Sequence, residues 1–465
     1  MGSLSALSRR KSIEQLQQEA GANKQFRRTL GLWQLTGIGV GGIIGVGIFV
    51  LTGQVAATQA GPAVMLAFLL AGVASAAAAL CYAEFAGMIP VSGSAYTYGY
   101  AVLGEFAAWL LGWDLLLCYA LIVAVVAAGW SGYVQALLGA AGVRLPPWAQ
   151  GAVGSGPGHQ FDVIAALVAL AIAGLLTVRT EWGARFNTAI VAVKIAGILL
   201  VILAGIAYVK PENWHPFMPF GFHGVLTGAA VVFFAVFGYD TLTTAAEEAK
   251  DPQRDLPWAV VLSLGIAMVL YLGMCLVLTG IVPSSTLNNA APVANAFGAI
   301  GLRWVMVAVS VAIITGITSV LFANMLAGAR IGFALSRDGL LPAWFSGVHP
   351  KFRTPHRATL ILGVLTAAAA GLFPLTVVAE VVNFGMLAAF AVICAAVILL
   401  RRARPDVPRT FRVPLVPLLP AVGVVFCLWL IWGLPVGVWL GFAAWMAIGV
   451  VAYFTYGIRH SRLAR

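Results

Sequence analysis

Long apolar runs recur along almost the whole of this 465-residue chain and limit the folds that it can adopt. Each run has about 16–32 residues, and roughly 20 apolar residues in a helix span the hydrocarbon core of a bilayer. Charged residues make up only 9% of the sequence, against roughly 25% in soluble proteins. We therefore predict an all-α polytopic membrane protein with twelve transmembrane helices. The runs lie near residues 32–52, 62–89, 106–137, 163–178, 188–209, 224–246, 258–282, 304–335, 358–373, 378–400, 413–433 and 436–457.

The distribution of the 27 Lys and Arg residues fits a membrane topology better than a surface that binds nucleic acid. With the N-terminus in the cytoplasm and the runs threaded alternately, about 23 of them fall on the cytoplasmic side. Such an excess is typical of the cytoplasmic loops of membrane proteins. We therefore expect both termini in the cytoplasm and no nucleic-acid partner. The segment 1–30 is polar and basic, so we expect no cleaved signal peptide.

The distribution of cysteine and histidine argues against metal or catalytic chemistry. All five cysteines lie inside apolar runs without C-x-x-C spacing, and the six histidines lie in loops or at helix ends. Neither pattern indicates a disulfide framework, a zinc site or an intramembrane catalytic pair. We predict no metal, no cofactor and no enzymatic activity.

A glycine-rich stretch interrupts the first apolar run, with six glycines in the eleven residues Gly37–Gly47. Glycine is about 1 kcal/mol less favourable than alanine inside a helix, and unpaired backbone groups in hydrocarbon cost several kcal/mol. A break is tolerated where its backbone lines a cavity or contacts a ligand. We therefore predict a binding site near residues 41–47, and we expect Gly37, Gly39 and Gly41 to serve helix packing.

A second break lies about 190 residues later, where Gly238, Asp240 and several threonines interrupt the sixth run. Transporters built from two inverted repeats carry broken helices at corresponding positions of both halves. Helix packing is the alternative explanation for the glycines. The offset of five runs predicts a cytoplasmic N-terminal segment (1–30), a first repeat (31–210), a second repeat (211–402), and two further helices with a short cytoplasmic C-terminus (403–465).

Several long motifs, in the same order, resemble those of the amino acid–polyamine–organocation transporters, and among them the bacterial relatives of the cationic amino acid transporters. The resemblance covers almost the whole chain. It implies a leucine-transporter-like fold of five plus five inverted-repeat helices, and amino acid transport by alternating access across a bacterial inner membrane. The matching stretches are Leu30–Thr36, Gly41–Gly53, Pro90–Tyr98, Gly112–Tyr119, Gly238–Thr241, Ala246–Pro257, Ser336–Pro342 and Phe411–Pro420.

Broken helices offer a way to bind an amino acid. Free N–H groups at a half-helix N-terminus suit a carboxylate, and free carbonyls at a half-helix C-terminus suit an ammonium group. On the family pattern, the amides around Gly45, Val46 and Gly47 would hold the carboxylate. The remaining predicted contacts are the carbonyls of Ile43, Phe234 and Phe237 for the ammonium, the Phe234 ring as a lid, Gly238 at the second break, and Asn324 in the side-chain pocket.

Lys194 is the basic residue placed deep inside an apolar run. A lysine at the centre of a membrane helix costs at least ~2.5–3.5 kcal/mol, so a functional role is the default hypothesis. In proton-coupled members of the family a lysine of the fifth helix lies against helices 1 and 8. The resemblance therefore implies that Lys194 couples proton movement to transport. A lysine that reaches the membrane surface is the alternative.

Two positions depart from the family pattern. Relatives usually have Thr or Ser at the position of Val46, and they often have Glu at the position of Cys118. The coupling role of Cys118 is therefore doubtful, and proton coupling rests on Lys194. We expect Asp114 and Glu84 to pair with backbone groups rather than to contact the substrate.

These observations together predict a secondary active amino acid transporter, with the amino acid, protons and the lipid bilayer as its partners. The favoured mechanism is proton-coupled symport. The alternatives are an exchanger or uniporter in which Lys194 is a fixed cation, and a non-transporting amino acid sensor. The sequence leaves open whether the substrate is cationic or neutral.

Overall fold

The computed structural model of the chain describes Arg9, residues 30–89, 94–178, 184–243, 249–347, His349 and residues 354–462. The architecture of these residues is helical, and its β pairing consists of two isolated bridges, Leu30 with Ala249 and Ala152 with Gln160. The Glu247–Glu248 pair and residues 90–93 of the sequence motifs lie outside the described residues. The predicted all-α class is thereby confirmed.

The helices follow one another in chain order as α1 to α17. Their bounds are α1 Leu32–Ile43, α2 Thr52–Val55, α3 Val64–Met88, α4 Ser94–Val102, α5 Glu105–Ala140, α6 Val163–Val178, α7 Ala184–Gly205, α8 Gly221–Val232, α9 Asp240–Thr243, α10 Pro252–Ile281, α11 Pro292–Ala299, α12 Arg303–Arg337, α13 His356–Leu372, α14 Leu375–Ala403, α15 Leu418–Trp432, α16 Val436–Ala452 and α17 Ile458–His460.

Eight helical segments in the described ranges are long and apolar enough to cross a membrane. Three further apolar helices, α6, α13 and α15, are shorter. The first two predicted runs are joined because π-helical turns flank α2 and a 3-10 turn, Gly61–Ala63, leads directly into α3. Gly47–Met88 is therefore a continuous helical segment of 42 residues.

Helices from the two predicted halves pack against each other as pairs. α3 packs against α10, α5 against α12, and α6 against α13. α7 lies against both α1 and α12, and α14 packs against α5 and α15. The two broken segments lie inside this packing, because α1 contacts α7, α9 and α10.

Glu84, near the end of α3, is almost fully buried and binds two arginines. Arg401 donates from both Nε and a terminal nitrogen to the carboxylate, and Arg409 Nε lies 3.2 Å from Oε1. The Val413 N–H also donates to Glu84, at 2.7 Å. The expected backbone pairing of Glu84 is therefore present, and it is supplemented by ion pairs that tie α3 to the end of α14 and the chain that follows.

Candidate functional site

The first break begins where α1 ends. Ile43 is the last residue of α1, and Ile44 has an extended backbone with φ −74° and ψ 99°. The helix resumes as a π-helical turn, Gly47–Leu51. Three residues thus separate two half-helices inside the protein, as the glycine pattern predicts.

The second break separates α8 from α9. A 3-10 turn, Phe233–Ala235, follows α8, and α9 starts only at Asp240. Between them Gly238 has a φ of +119°, a conformation that side chains with a Cβ rarely adopt. The carbonyl of Val236 accepts a hydrogen bond from the Ser75 hydroxyl of α3 at 2.9 Å.

The two breaks cross each other in direct backbone contact. A Cβ on Gly238 would lie 2.5 Å from the Gly42 carbonyl oxygen, and a Cβ on Gly42 would lie 2.6 Å from the Gly238 carbonyl oxygen. A Cβ on Gly47 would lie 2.5 Å from Ala235 Cβ. Glycine is therefore required at the crossing for close approach.

The other glycines of the run serve different purposes. A Cβ on Gly39 would meet Ser263 Oγ at 2.6 Å, and one on Gly41 would meet a Val191 methyl at 2.8 Å. Their predicted role in packing is confirmed. The same prediction for Gly37 is wrong, because no heavy atom lies within 4 Å of its Cβ position.

A pocket with a cavity volume of about 20 Å³ lies beside the crossing. Backbone and side chains of both breaks form one side, and apolar side chains of α5 and α12 form the other. All eight residues predicted to bind substrate line this pocket: Ile43, Gly45, Val46, Gly47, Phe234, Phe237, Gly238 and Asn324. The structure thus brings them together, and their contact with substrate stays a prediction.

The pocket wall also contains residues that the sequence did not single out for substrate contact: Gly42, Ile122, Val126, Asp240 and Val320. Ile122, Val126 and Val320 make the wall apolar. Asp240 is 1% exposed, and its carboxylate accepts a 2.6 Å hydrogen bond from the Tyr119 hydroxyl. The Asn324 amide donates to the Val320 carbonyl of its own helix at 2.9 Å.

Tyr271 of α10 joins the two breaks. Its hydroxyl oxygen lies 2.9 Å from the carbonyl oxygens of both Ile43 and Ala235. A tyrosine hydroxyl has one hydrogen, so it donates to one of these carbonyls at a time. Tyr271 was not predicted from the sequence, although a buried tyrosine inside an apolar run indicates the need for a hydrogen-bond partner.

Lys194 lies beside the first break and outside the pocket wall. Its ammonium Nζ donates to the Gly41 carbonyl at 2.8 Å and to the Ile44 carbonyl at 3.1 Å. Its methylene chain packs on α12, where a Cβ on Gly316 would lie 2.4 Å from Lys194 Cγ. The lysine is 1% exposed, so the interpretation that it reaches the membrane surface is wrong. Its position between α1 and α12 is the one that the resemblance implies.

Cys118 lies away from the pocket wall. Its thiol donates to Asp114 Oδ1 at 3.4 Å, and both groups are buried. The expectation that Asp114 pairs with the backbone is wrong, because the thiol is its hydrogen-bond partner among the described residues.

Comparisons with known proteins agree with this architecture. The family model described as amino acid permease matches residues 30–454. The chain is 47% identical over 460 residues to a methylthioribose transporter of Bacillus subtilis, covering 99% of this chain and 100% of the relative. It is 43% identical over 458 residues to a branched-chain amino acid permease of the same species, covering 98% of each. It is 36% identical over 410 residues to human cationic amino acid transporter 4, covering 86% of this chain and 64% of the relative.

The family match extends over most of the chain and includes both broken helices. The two bacillary relatives are matched along nearly their entire length. These relatives are transporters, and the described helices have the length and composition of an integral membrane protein. The chain therefore belongs to the amino acid permease family of amino acid–polyamine–organocation transporters, which are membrane transport proteins rather than enzymes.

Proposed function

We propose that this protein is a proton-coupled symporter of neutral amino acids that works by alternating access. The observation that carries the proposal is the backbone crossing of the two breaks at Gly42 and Gly238, next to a pocket lined by eight predicted substrate contacts. Free peptide groups at half-helix ends can pair with both the carboxylate and the ammonium of an amino acid. That pairing offsets the cost of removing both charges from water.

The pocket wall favours a neutral, apolar side chain. Ile122, Val126 and Val320 present hydrocarbon, and Asp240, the carboxylate in the wall, already accepts the Tyr119 hydroxyl. A cationic side chain would have to share this one carboxylate with Tyr119, whereas an aliphatic side chain needs no polar partner. The branched-chain amino acid permease among the relatives is consistent with an aliphatic side chain.

Methylthioribose is a second candidate substrate, because the relative that is 47% identical carries that name. Its hydroxyl groups could donate to the same carbonyls as an ammonium, and its methylthio group could occupy the apolar wall. A sugar has no carboxylate, so it would leave the amides around Gly45 and Gly47 without a charged partner. That difference separates the two candidates.

We further propose twelve spans arranged as five plus five inverted repeats with two added helices, and both termini in the cytoplasm of a bacterium. The pairing of α3 with α10, α5 with α12, and α6 with α13 supports the repeat, since a two-fold axis brings equivalent helices together. The bounds of the repeats, 31–210 and 211–402, follow from the spacing of the breaks.

Lys194 is the residue that we assign to coupling. Its two hydrogen bonds to the carbonyls of Gly41 and Ile44 hold the first break in shape, and the lysine is buried there. Losing the proton would weaken these contacts and loosen the break. In an exchanger or uniporter the same lysine would stay charged as a fixed cation.

The test begins with thermal-shift screening of the purified protein against the twenty amino acids and methylthioribose. Uptake into proteoliposomes follows, with and without an imposed proton gradient. We expect the largest shift from an aliphatic amino acid, accumulation only with the gradient, and loss of that dependence in Lys194→Ala. Equal uptake without the gradient would favour the exchanger or uniporter, binding without uptake would favour the sensor, and no amino acid binding would refute the proposal.

A further inference from the structure

Asp114 is a buried acid that the proposed substrate site does not use. It is 3% exposed and lies inside α5, eight residues before Ile122 of the pocket wall. Eight helical residues correspond to about 12 Å along the axis. Asp114 therefore lies below the pocket, towards the end of α5 that begins at Glu105.

The carboxyl group of Asp114 has weak polar support. Its hydrogen-bond partner is the Cys118 thiol, at 3.4 Å, and a thiol is a weak donor. Among the described residues no Lys, Arg or His forms an ion pair with it. An ionised carboxylate without a cation is costly in such surroundings, so the group is favoured when it carries a proton.

Gly385 of helix α14 packs directly against this carboxyl group. A Cβ on Gly385 would lie 2.3 Å from Asp114 Oδ1 and 2.5 Å from Cys118 Sγ. The Val382 carbonyl, 3.9 Å from the same sulfur, is the other polar group that α14 presents to the pair. Glu380, also on α14, has no hydrogen bond to Asp114 among the described residues. Glycine at position 385 therefore leaves room for the carboxyl group of Asp114, and any larger residue at that position would clash with it.

The hydrogen bonding of Asp240, a second buried acid near α5, differs from that of Asp114. Its carboxylate accepts a strong hydrogen bond from Tyr119, at 2.6 Å, and it begins the half-helix α9. The Tyr119 hydroxyl is a stronger donor to this carboxylate than the Cys118 thiol is to Asp114. Tyr119 directly follows Cys118 in α5. The two acids therefore accept hydrogen bonds from neighbouring side chains of the same helix. Of the two, Asp114 is the acid suited to hold a proton.

We propose that Asp114 binds and releases a proton in each transport cycle, as a second proton-binding group beside Lys194. The inference rests on the proposed proton coupling. The O–H bond of the carboxyl group forms when a proton arrives with the substrate from the open side. It breaks when the pocket opens to the other side and admits water, which takes the proton and leaves a carboxylate for the next cycle.

The test compares Asp114→Asn with the wild-type full-length protein in proteoliposomes, with labelled leucine as the probe. A gradient of one pH unit can drive about tenfold accumulation per coupled proton. With two proton-binding groups we expect wild type to accumulate leucine up to about a hundredfold, and Asp114→Asn, which keeps Lys194, to reach only about tenfold. Counterflow of leucine against internal leucine needs no net proton movement, and it should stay near the wild-type rate. Asp162→Asn, which removes another buried carboxyl group, is the matched control and should keep both activities.

The outcomes separate this inference from the proposed function. Wild type that accumulates leucine without regard to the gradient overturns the proposed coupling and the inference with it. Proton-driven wild type with equally driven Asp114→Asn overturns the inference alone, as does a variant that loses counterflow too, because the residue would then act structurally. A carboxylic C=O stretch in infrared difference spectra that disappears in Asp114→Asn supports it.

Discussion

Replacing Gly238 by alanine tests whether close backbone contact of the two breaks underlies binding. The new methyl group would meet the Gly42 carbonyl oxygen at 2.5 Å and its carbon at 2.7 Å, both of them backbone atoms that no rotamer change can move. Gly238 also has a φ of +119°, which strains any residue with a Cβ. Strain costs about 1–3 kcal/mol and overpacking about as much again.

These two terms together disfavour the crossed state by about 2–6 kcal/mol. Since 1.36 kcal/mol corresponds to a factor of ten, the ratio of crossed to uncrossed protein falls by at least about 30-fold. When only the crossed state binds, the apparent dissociation constant is the intrinsic one divided by the crossed fraction. We therefore expect the dissociation constant of Gly238→Ala for leucine to rise, by about tenfold or more where the two states are near balance in wild type.

Scintillation proximity binding of labelled leucine to the purified protein measures the effect. Gly37→Ala is the control, because it adds the same methyl group to α1 where nothing lies within 4 Å. An alanine is also about 1 kcal/mol more favourable than glycine in a helix interior, so the control should fold and bind normally. Wild-type affinity in Gly238→Ala would refute the reasoning, as would equal losses in both variants.

Three further changes test the contacts around the site. Tyr271→Phe should lower the thermal unfolding temperature by an amount that reflects about 1–3 kcal/mol, because it removes the hydroxyl donor shared by two break carbonyls. Tyr271→Phe should also bind leucine more weakly, whereas Tyr133→Phe, which frees the Phe49 carbonyl outside the breaks, should bind leucine normally; equal binding by both variants would contradict the assignment. Glu84→Gln should destabilise the protein by about 3 kcal/mol or more in thermal unfolding, since it leaves the buried guanidinium group of Arg409 and the partly buried one of Arg401 without their carboxylate. Asp162, in the loop that ends at α6, has its pKa raised by burial from 3.8 to about 6, so stability should fall as pH rises from about 4 to about 7, and a slope unchanged in Asp162→Asn would refute this.

The sequence predicted the parts of the site that violate the rules for an apolar helix. Glycines, a lysine and an asparagine inside membrane runs each carry an energetic cost, so they stand out. For that reason both breaks, Lys194 and the predicted contact Asn324 were found. The same logic failed for Gly37, because a glycine in open space costs as much helix propensity as one at a crossing.

Residues that suit an apolar helix could not be assigned to the site from the sequence. Ile122, Val126 and Val320 form the apolar wall of the pocket, and an apolar side chain in an apolar run could equally face lipid. The helical connection between the first two runs was also beyond the pattern. Continuous π-helical and 3-10 turns join the first two runs, and these depend on local backbone geometry rather than on hydropathy.

Val46 departs from the family pattern, and it is also an ordinary apolar residue of an apolar run. From the sequence, Val46 lacks a hydroxyl group that the resemblance implies, because relatives usually have Thr or Ser at this position. In the structure a Cβ on Gly129 would lie 1.8 Å from a Val46 methyl carbon, so the valine occupies the notch that the glycine leaves in α5. Valine and glycine therefore pack as a pair, and the position that lacks the family's hydroxyl is held against α5 by a methyl group.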